Sequence, residues 1–108
     1  MPQLIIKGLK PCEYRPFAKE SRPELSRIVE CPEDWFTFDY QLSAMYTSGG
    51  AVESFPVLQI WWFERPKDVQ DRVAAYLDEA LKKRGYRNSQ ISFHIFREED
   101  YYEDGRHF

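Results

Sequence analysis

Proline at position 2 is the residue with the most specific chemical potential in this sequence. It follows Met1 and opens an apolar segment, Pro2-Gln3-Leu4-Ile5-Ile6-Lys7-Gly8. Removal of Met1 would leave a secondary amine at the start of a strand, and such an amine can act as a base or a nucleophile without help from a side chain. A proline is also tolerated as the first residue of a strand, because the sheet needs no backbone N–H donor at that position. Pro2 is therefore a candidate catalytic base, with a structural role as the alternative.

Polar residues near the ends of predicted strands are candidates to work with such a base. The planar guanidinium of Arg65 can hold a substrate carboxylate in a bidentate pair, or it can pair with Glu64 or Asp68. Glu64 could be a second acid or base, or a solvated loop carboxylate. His94 could polarise a carbonyl or shuttle a proton, and its alternative is a hydrogen-bonded histidine at a subunit interface.

Aromatic residues are abundant, at 17% of the sequence, which indicates an apolar pocket or a subunit interface beyond an ordinary core. Trp62 and Tyr101 are candidates for an apolar wall beside Pro2, with core and interface packing as their alternative. Burial among such side chains would keep an amine neutral, because it disfavours the cation.

The spacing of the two cysteines, Cys12 and Cys31, matches no metal-binding or redox motif, and both are interpreted as reduced thiols. No glycine-rich phosphate loop, serine-triad motif or metal-ligand spacing is present. We therefore expect neither a cofactor nor a metal.

The bulk composition predicts one globular domain over residues 1–108, with 43% hydrophobic and 31% charged residues. The formal net charge of −3 and the lack of a basic stripe argue against a nucleic-acid partner. No membrane-length apolar run or targeting signal is visible, so we expect a cytoplasmic protein without a membrane partner.

Hydrophobic periodicity predicts two helices and four strands. The helices span 12–30 and 66–84, and Pro23 is expected to kink the first or make it restart near Ser21. The strands span 3–7, 36–43, 57–63 and 91–96, with a turn or mobile loop at 47–50 and a polar, acidic and aromatic tail over 97–108.

The element order, βαβ followed by βαβ, predicts an α/β two-layer sandwich with a four-stranded mixed sheet and both helices on one face. The other face needs a cover, and oligomerisation is the simplest one. The same order also permits a ferredoxin-like sheet that binds RNA through exposed aromatics, although the acidic balance argues against it.

The sequence resembles the tautomerase superfamily, which includes 4-oxalocrotonate tautomerase and macrophage migration inhibitory factor. It is most similar to a small uncharacterised bacterial family beside that superfamily. The resemblance covers nearly the whole chain and rests on Met1-Pro2 with its strand, Glu30-Cys31-Pro32 with Phe36-Thr37, Trp62-Phe63-Glu64-Arg65 with Val69-Gln70-Asp71, and the ending Tyr101-Tyr102-Glu103-Asp104-Gly105-Arg106-His107-Phe108.

The resemblance implies a homotrimer with an active site near each Pro2, at the subunit boundaries. In the superfamily, the amino-terminal proline shuttles a proton between carbon and oxygen of a keto/enol acid, while basic side chains hold the carboxylate. This sequence departs from the pattern, since Cys31 stands where the cytokine-like members have a lysine, and Ser92 and His94 stand where they have a tyrosine and an asparagine.

These observations predict a keto/enol proton transfer on a small carboxylic acid. Pro2 would be the base, Arg65 would hold the carboxylate, and Trp62 and Tyr101 would form the apolar wall. His94 is a further candidate for binding the substrate. The alternative is a non-catalytic trimeric binding or structural module that keeps the fold without the chemistry.

Overall fold

The structure is a computed structural model that describes residues 2–107. The described helices and strands follow the predicted order, with additions at two places. The helices are α1 (Tyr14–Val29) and α2 (Lys67–Lys83), and the strands are β1 (Gln3–Lys7), β2 (Thr37–Gln41), β3 (Met45–Thr47), β4 (Gly50–Val52), β5 (Val57–Trp62), β6 (Gln90–Ile95), β7 (Tyr102–Glu103) and β8 (Arg106–His107).

The main sheet has four strands in the order β2-β1-β5-β6. The outer strands run parallel to their neighbours, whereas the central pair, β1 and β5, is antiparallel. This confirms the predicted mixed sheet built from two βαβ units. The strand order also brings the start of β1 beside the end of β5, and this junction positions the candidate site.

One face of the sheet packs under the helices and forms the core. Its central strands contribute alternate residues that are almost fully buried: Leu4, Ile6, Leu58, Ile60 and Trp62. The helices supply the matching apolar stripes: Phe17, Leu25, Ile28 and Val29 from α1, and Val73, Leu77, Ala80 and Leu81 from α2. The apolar residues that recur at every second position in the strands and about every 3.6 positions in the helices therefore pack into a single core.

The opposite face of the sheet, here called the open face, is mostly polar. In register across the four strands, its rows are Thr37-Gln3-Trp61-His94, Asp39-Ile5-Gln59-Ser92 and Gln41-Lys7-Val57-Gln90. The aromatic part of this face lies at one end and consists of Trp61, Phe63, His94, Phe96 and Tyr101, here called the aromatic corner. This aromatic end of the open face is suited to a dry interface.

Helix α1 runs without interruption from Tyr14 to Val29 with Pro23 inside it, so the predicted restart near Ser21 is wrong. Ser21 does not cap a second helix; its side chain is fully buried instead. Pro23 removes one intrahelical hydrogen bond. The buried residues Phe17 and Leu25 lie on both sides of Pro23 in the sequence, and their packing keeps this segment helical.

Strand β2 is shorter than the predicted 36–43, and it ends at Gln41. Its partner strand β1 ends at Lys7, so no backbone groups remain to pair beyond the Lys7–Gln41 position. Leu42, the residue after the strand, is 82% exposed. The predicted turn at 47–50 lies in a separate antiparallel hairpin formed by β3 and β4.

Helix α2 nearly matches its predicted span, and Pro66 occupies the position just before it. The amide of Gly85 donates to the carbonyl of Lys82 at 3.0 Å, and that of Tyr86 donates to the carbonyl of Leu81 at 3.1 Å. These two hydrogen bonds, with Gly85 at a φ of +93°, form the Schellman ending that is typical of a glycine just beyond a helix.

Candidate functional site

Pro2 lies immediately before β1, on the side of the sheet that faces the helices. Its side chain is almost completely buried, and its carbonyl accepts a hydrogen bond from the amide of Thr37 at 3.2 Å. Because Gln3 stands opposite Trp61 in the antiparallel pair, Pro2 stands opposite Trp62. The fold therefore places the candidate base against one of the two candidate wall residues.

Trp62 is the last residue of β5 and packs in the core beside Pro2. Its side chain is 1% exposed and packs against Phe93, with ring centroids 5.1 Å apart. The guanidinium carbon of Arg65 lies 5.8 Å from the centroid of the Trp62 ring, within the range of a cation–π contact. Pro2, Trp62 and Arg65 are thus gathered at one end of the central strands, and we call them the Pro2 cluster.

Arg65 sits in the short connection between β5 and α2. Its Nη1 donates to the backbone carbonyls of Phe63 and Glu64 at 3.3 and 3.4 Å. Among residues 2–107 its guanidinium forms no ion pair, so the alternative pairing with Glu64 or Asp68 does not occur.

The Arg65 side chain borders an open groove of about 480 Å³. The other residues that line this groove are Glu64, Pro66, Lys67, Gln70 and Ile95. The groove lies at the amino-terminal end of α2, where backbone amides and the helix dipole favour anions. A small carboxylate can therefore reach Arg65 from solvent.

Cys31 belongs to the same region, which the sequence did not reveal. Burial raises the pKa of its half-buried thiol, and the positive charge of Arg65 acts in the opposite direction. Cys31 and Arg65 are therefore within electrostatic range of each other, although they come from different halves of the sequence. With its pKa raised, the thiol is uncharged at neutral pH, so Arg65 carries the positive charge here.

His94 and Tyr101 lie on the open face, across the sheet from Trp62. The His94 ring stacks on Trp61 at 4.3 Å, and its Nε2 is 2.9 Å from the hydroxyl oxygen of Ser92. Tyr101 packs against Phe96, with ring centroids 4.9 Å apart. Tyr101 also packs edge-on against Phe63, with ring centroids 5.1 Å apart, and the carbonyl of Phe63 accepts from Arg65. A single chain therefore gathers Pro2, Trp62 and Arg65 and places His94 on the other face of the sheet.

The part of the chain that the structure describes holds no group of three or more side chains suited to binding a metal ion. None of its helices combines the length and the apolar character needed to cross a membrane. Removal of Met1, on which the chemistry of Pro2 depends, concerns a residue outside 2–107 and stays a prediction.

The mixed sheet with two helices on one face is the fold of the tautomerase superfamily. A macrophage migration inhibitory factor-like protein from Entamoeba histolytica has this fold, with 18% identity, coverage of 99% of this chain and 98% of that chain, and a TM-score of 0.79. A fused 4-OT, solved as an asymmetric trimer, has 11% identity, coverage of 97% and 94%, and a TM-score of 0.82.

Within this fold, the chain belongs to the family described as a domain of unknown function, DUF1904, whose model matches residues 1–107. A DUF1904 protein from Sebaldella termitidis has 34% sequence identity, full coverage of both chains and a TM-score of 0.92. Among curated protein sequences, none matches this chain.

Proposed function

We propose that this protein catalyses keto/enol proton transfer on a small carboxylic acid, with Pro2 as the base. The observation that carries the proposal is the Pro2 cluster. Arg65 lies over the ring of Trp62, which stands opposite Pro2, and its guanidinium has no carboxylate partner among residues 2–107. A base, a cation and an apolar wall thereby share one corner of the molecule.

In this reaction the Pro2 nitrogen, freed by removal of Met1, accepts a proton from the enol oxygen and delivers it to carbon. The reverse sequence forms the enol, so no oxidant or further reactant is needed. The buried surface of Trp62 and the positive charge of Arg65 both disfavour a protonated amine. Both effects favour the neutral form of Pro2, which is the form that can accept a proton.

Arg65 binds the substrate carboxylate in this proposal. Its planar fork suits a bidentate pair, and the groove beside it opens to solvent. Cys31 replaces the lysine of the cytokine-like members, and its uncharged thiol cannot supply the missing cation. Arg65 stands within electrostatic range of that same position, so it is suited to take over the charge.

The proposed active form is a homotrimer with its sites at the subunit boundaries. His94 lies across the sheet from Trp62, so in this proposal it reaches the Pro2 cluster of a neighbouring copy. A partly exposed aromatic corner on the open face and the trimeric state of the fused 4-OT support this arrangement. Tyr101 would then complete the apolar wall, and His94 would contact the substrate from the neighbouring copy.

The test compares Pro2→Gly with Pro56→Gly in the ketonisation of a small enol acid. Pro56 is a matched control because it is equally buried, precedes β5 as Pro2 precedes β1, and accepts a bond from Gln90 as Pro2 does from Thr37. We expect Pro2→Gly to lower kcat/KM by roughly 100-fold or more, which is the usual contribution of a positioned base. Pro56→Gly should leave the rate within a few-fold of wild type.

Before the assay, mass spectrometry of the untagged protein establishes that Met1 is absent. Equal rates for the wild type and Pro2→Gly would contradict the mechanism. That result would favour the non-catalytic binding or structural module.

A further inference from the structure

We propose that the indole Nε1–H of Trp62 donates a hydrogen bond to the keto/enol oxygen of the substrate. This inference rests on the proposed function and adds one polar, substrate-binding atom to the apolar wall beside Pro2. Five buried side-chain nitrogen or oxygen atoms within residues 2–107 have no hydrogen-bond partner, and Trp62 Nε1 is the one that belongs to the Pro2 cluster. The fold therefore leaves an unused donor next to the candidate base.

The two adjacent tryptophans of β5 differ in how their ring nitrogens are paired. Trp61 Nε1 donates to the side-chain oxygen of Gln59 at 3.2 Å. Trp62 is 1% exposed, and its Nε1 has no acceptor in the described part of the chain. A buried tryptophan usually has a partner for this group, because an unpaired donor away from water costs stability. An exception in a candidate active site indicates an acceptor that arrives with a ligand.

Arg65 determines which part of a ligand lies near this donor. Its guanidinium carbon is 5.8 Å from the centroid of the Trp62 ring, so a small acid that pairs with Arg65 brings its neighbouring atoms close to the indole. Arg65 donates to the carbonyls of Phe63 and Glu64 at 3.3 and 3.4 Å, and a carboxylate offers stronger, charge-assisted bonds. Movement of Arg65 toward such an anion opens a path to the buried ring.

The donor acts on the oxygen at which negative charge develops. When the Pro2 nitrogen takes a proton from the carbon beside the carbonyl, the C–H electron pair forms a carbon–carbon double bond and the carbonyl electrons move to oxygen. The protonated Pro2 then gives its proton to that oxygen, which completes the enol. The indole keeps its own proton and only stabilises the intermediate oxyanion. Such a bond is strongest in the transition state, so it raises kcat more than it lowers KM.

The first experiment compares Trp62→Phe with Trp61→Phe in the ketonisation of a small enol acid. Each substitution keeps an aromatic ring and removes one indole N–H, and Trp61 is the matched control because its donor is already paired with Gln59. We expect Trp62→Phe to lower kcat by roughly 100- to 1,000-fold with little change in KM, the usual effect of one oxyanion donor. Trp61→Phe should stay within a few-fold of wild type. An unchanged kcat in folded Trp62→Phe would overturn the inference.

Indole NMR of the wild type tests the same bond without any change at Trp62. The spectra of Trp35→Phe and Trp61→Phe assign the three indole N–H signals by elimination. We expect pyruvate to move the Trp62 proton signal downfield. Propionate has the same carboxylate but no carbonyl oxygen on the adjacent carbon, so it should move this signal much less. Equal shifts with both acids, or no shift with pyruvate, would overturn the inference.

The variant Pro2→Gly separates this inference from the proposed chemistry. It retains both Arg65 and Trp62, so pyruvate should still move the Trp62 signal although ketonisation is lost. A pyruvate-specific shift in a protein whose ketonisation does not depend on Pro2 would support the bond and contradict the mechanism. Ketonisation that depends on Pro2, without any shift of the Trp62 signal, would support the mechanism and overturn the bond.

Discussion

Replacing Gly8 by alanine should destabilise the protein more than any other single change of this size. Gly8 has a φ of +94°, a region that costs an L-residue about 1–2 kcal/mol. An added Cβ would also lie 1.8 Å from the carbonyl oxygen of Phe55 and 2.4 Å from its carbonyl carbon. Both are backbone atoms, so relief requires the segment before β5 to move away from the end of β1.

We expect Gly8→Ala to lower the free energy of unfolding by about 3–5 kcal/mol, from backbone strain and overpacking together. Gly85→Ala is the control, because Gly85 has a nearly identical φ of +93° but no atom within 4 Å of an added Cβ. That variant should lose only about 1–2 kcal/mol. Urea unfolding of both variants measures the difference, and equal losses would contradict a destabilising clash between the added Cβ and the Phe55 backbone.

The second large effect concerns the adjacent tryptophans Trp61 and Trp62, which lie on opposite faces of β5. Trp62 is 1% exposed beside Pro2, whereas Trp61 is half-buried on the open face. Truncating Trp62 to alanine should cost about 3–5 kcal/mol, because it leaves a cavity in the core. Trp61→Ala should cost about 1 kcal/mol, the usual size for a partly exposed site.

Chemical denaturation of Trp61→Ala and Trp62→Ala at one protein concentration tests which face of β5 is buried. A larger loss for Trp61→Ala would mean that the register of β5 is shifted by one residue. Such a shift would also move Trp62 away from Pro2.

Much of the fold could be predicted from the sequence because its longest elements have clear periodicity. Helix α2 has an uninterrupted apolar stripe and a glycine at its end, and β5 is apolar enough to indicate a central strand. The end of β2 could not be predicted, because it depends on where its partner β1 stops. Similarly, Pro23 breaks helices in general, and only the packing around it explains why α1 continues.

Two hairpins were missed for different reasons. Strands β3 and β4 have three residues each and show no clear alternation, so nothing distinguishes them from a loop. The tail hairpin of β7 and β8 had a usable signal in Asp104-Gly105, whose φ values of 54° and 79° suit a tight hairpin turn.

The candidate site was predictable only where strand pairing determines it. Pro2 lies near Trp62 because β1 pairs with β5. His94 lies on the other face from Trp62 because it is in register with Trp61, and successive side chains of a strand point to opposite faces. The approach of Arg65 to Cys31 depends on how two connections pack at one end of the sheet. No local pattern in the sequence encodes that proximity.

The proposed function requires the nitrogen of Pro2 to be a free, reactive amine beside a carboxylate-binding arginine. Its most direct test is incubation of the untagged protein with a small 2-oxo acid that carries a conjugated alkyne, because amines add to such an alkyne. Peptide mass spectrometry then locates the adduct. The proposed mechanism predicts a protein without Met1, with one adduct on Pro2 whose formation slows in Arg65→Gln. Retention of Met1, or an unmodified Pro2 with label only on Cys12 or Cys31, would contradict it.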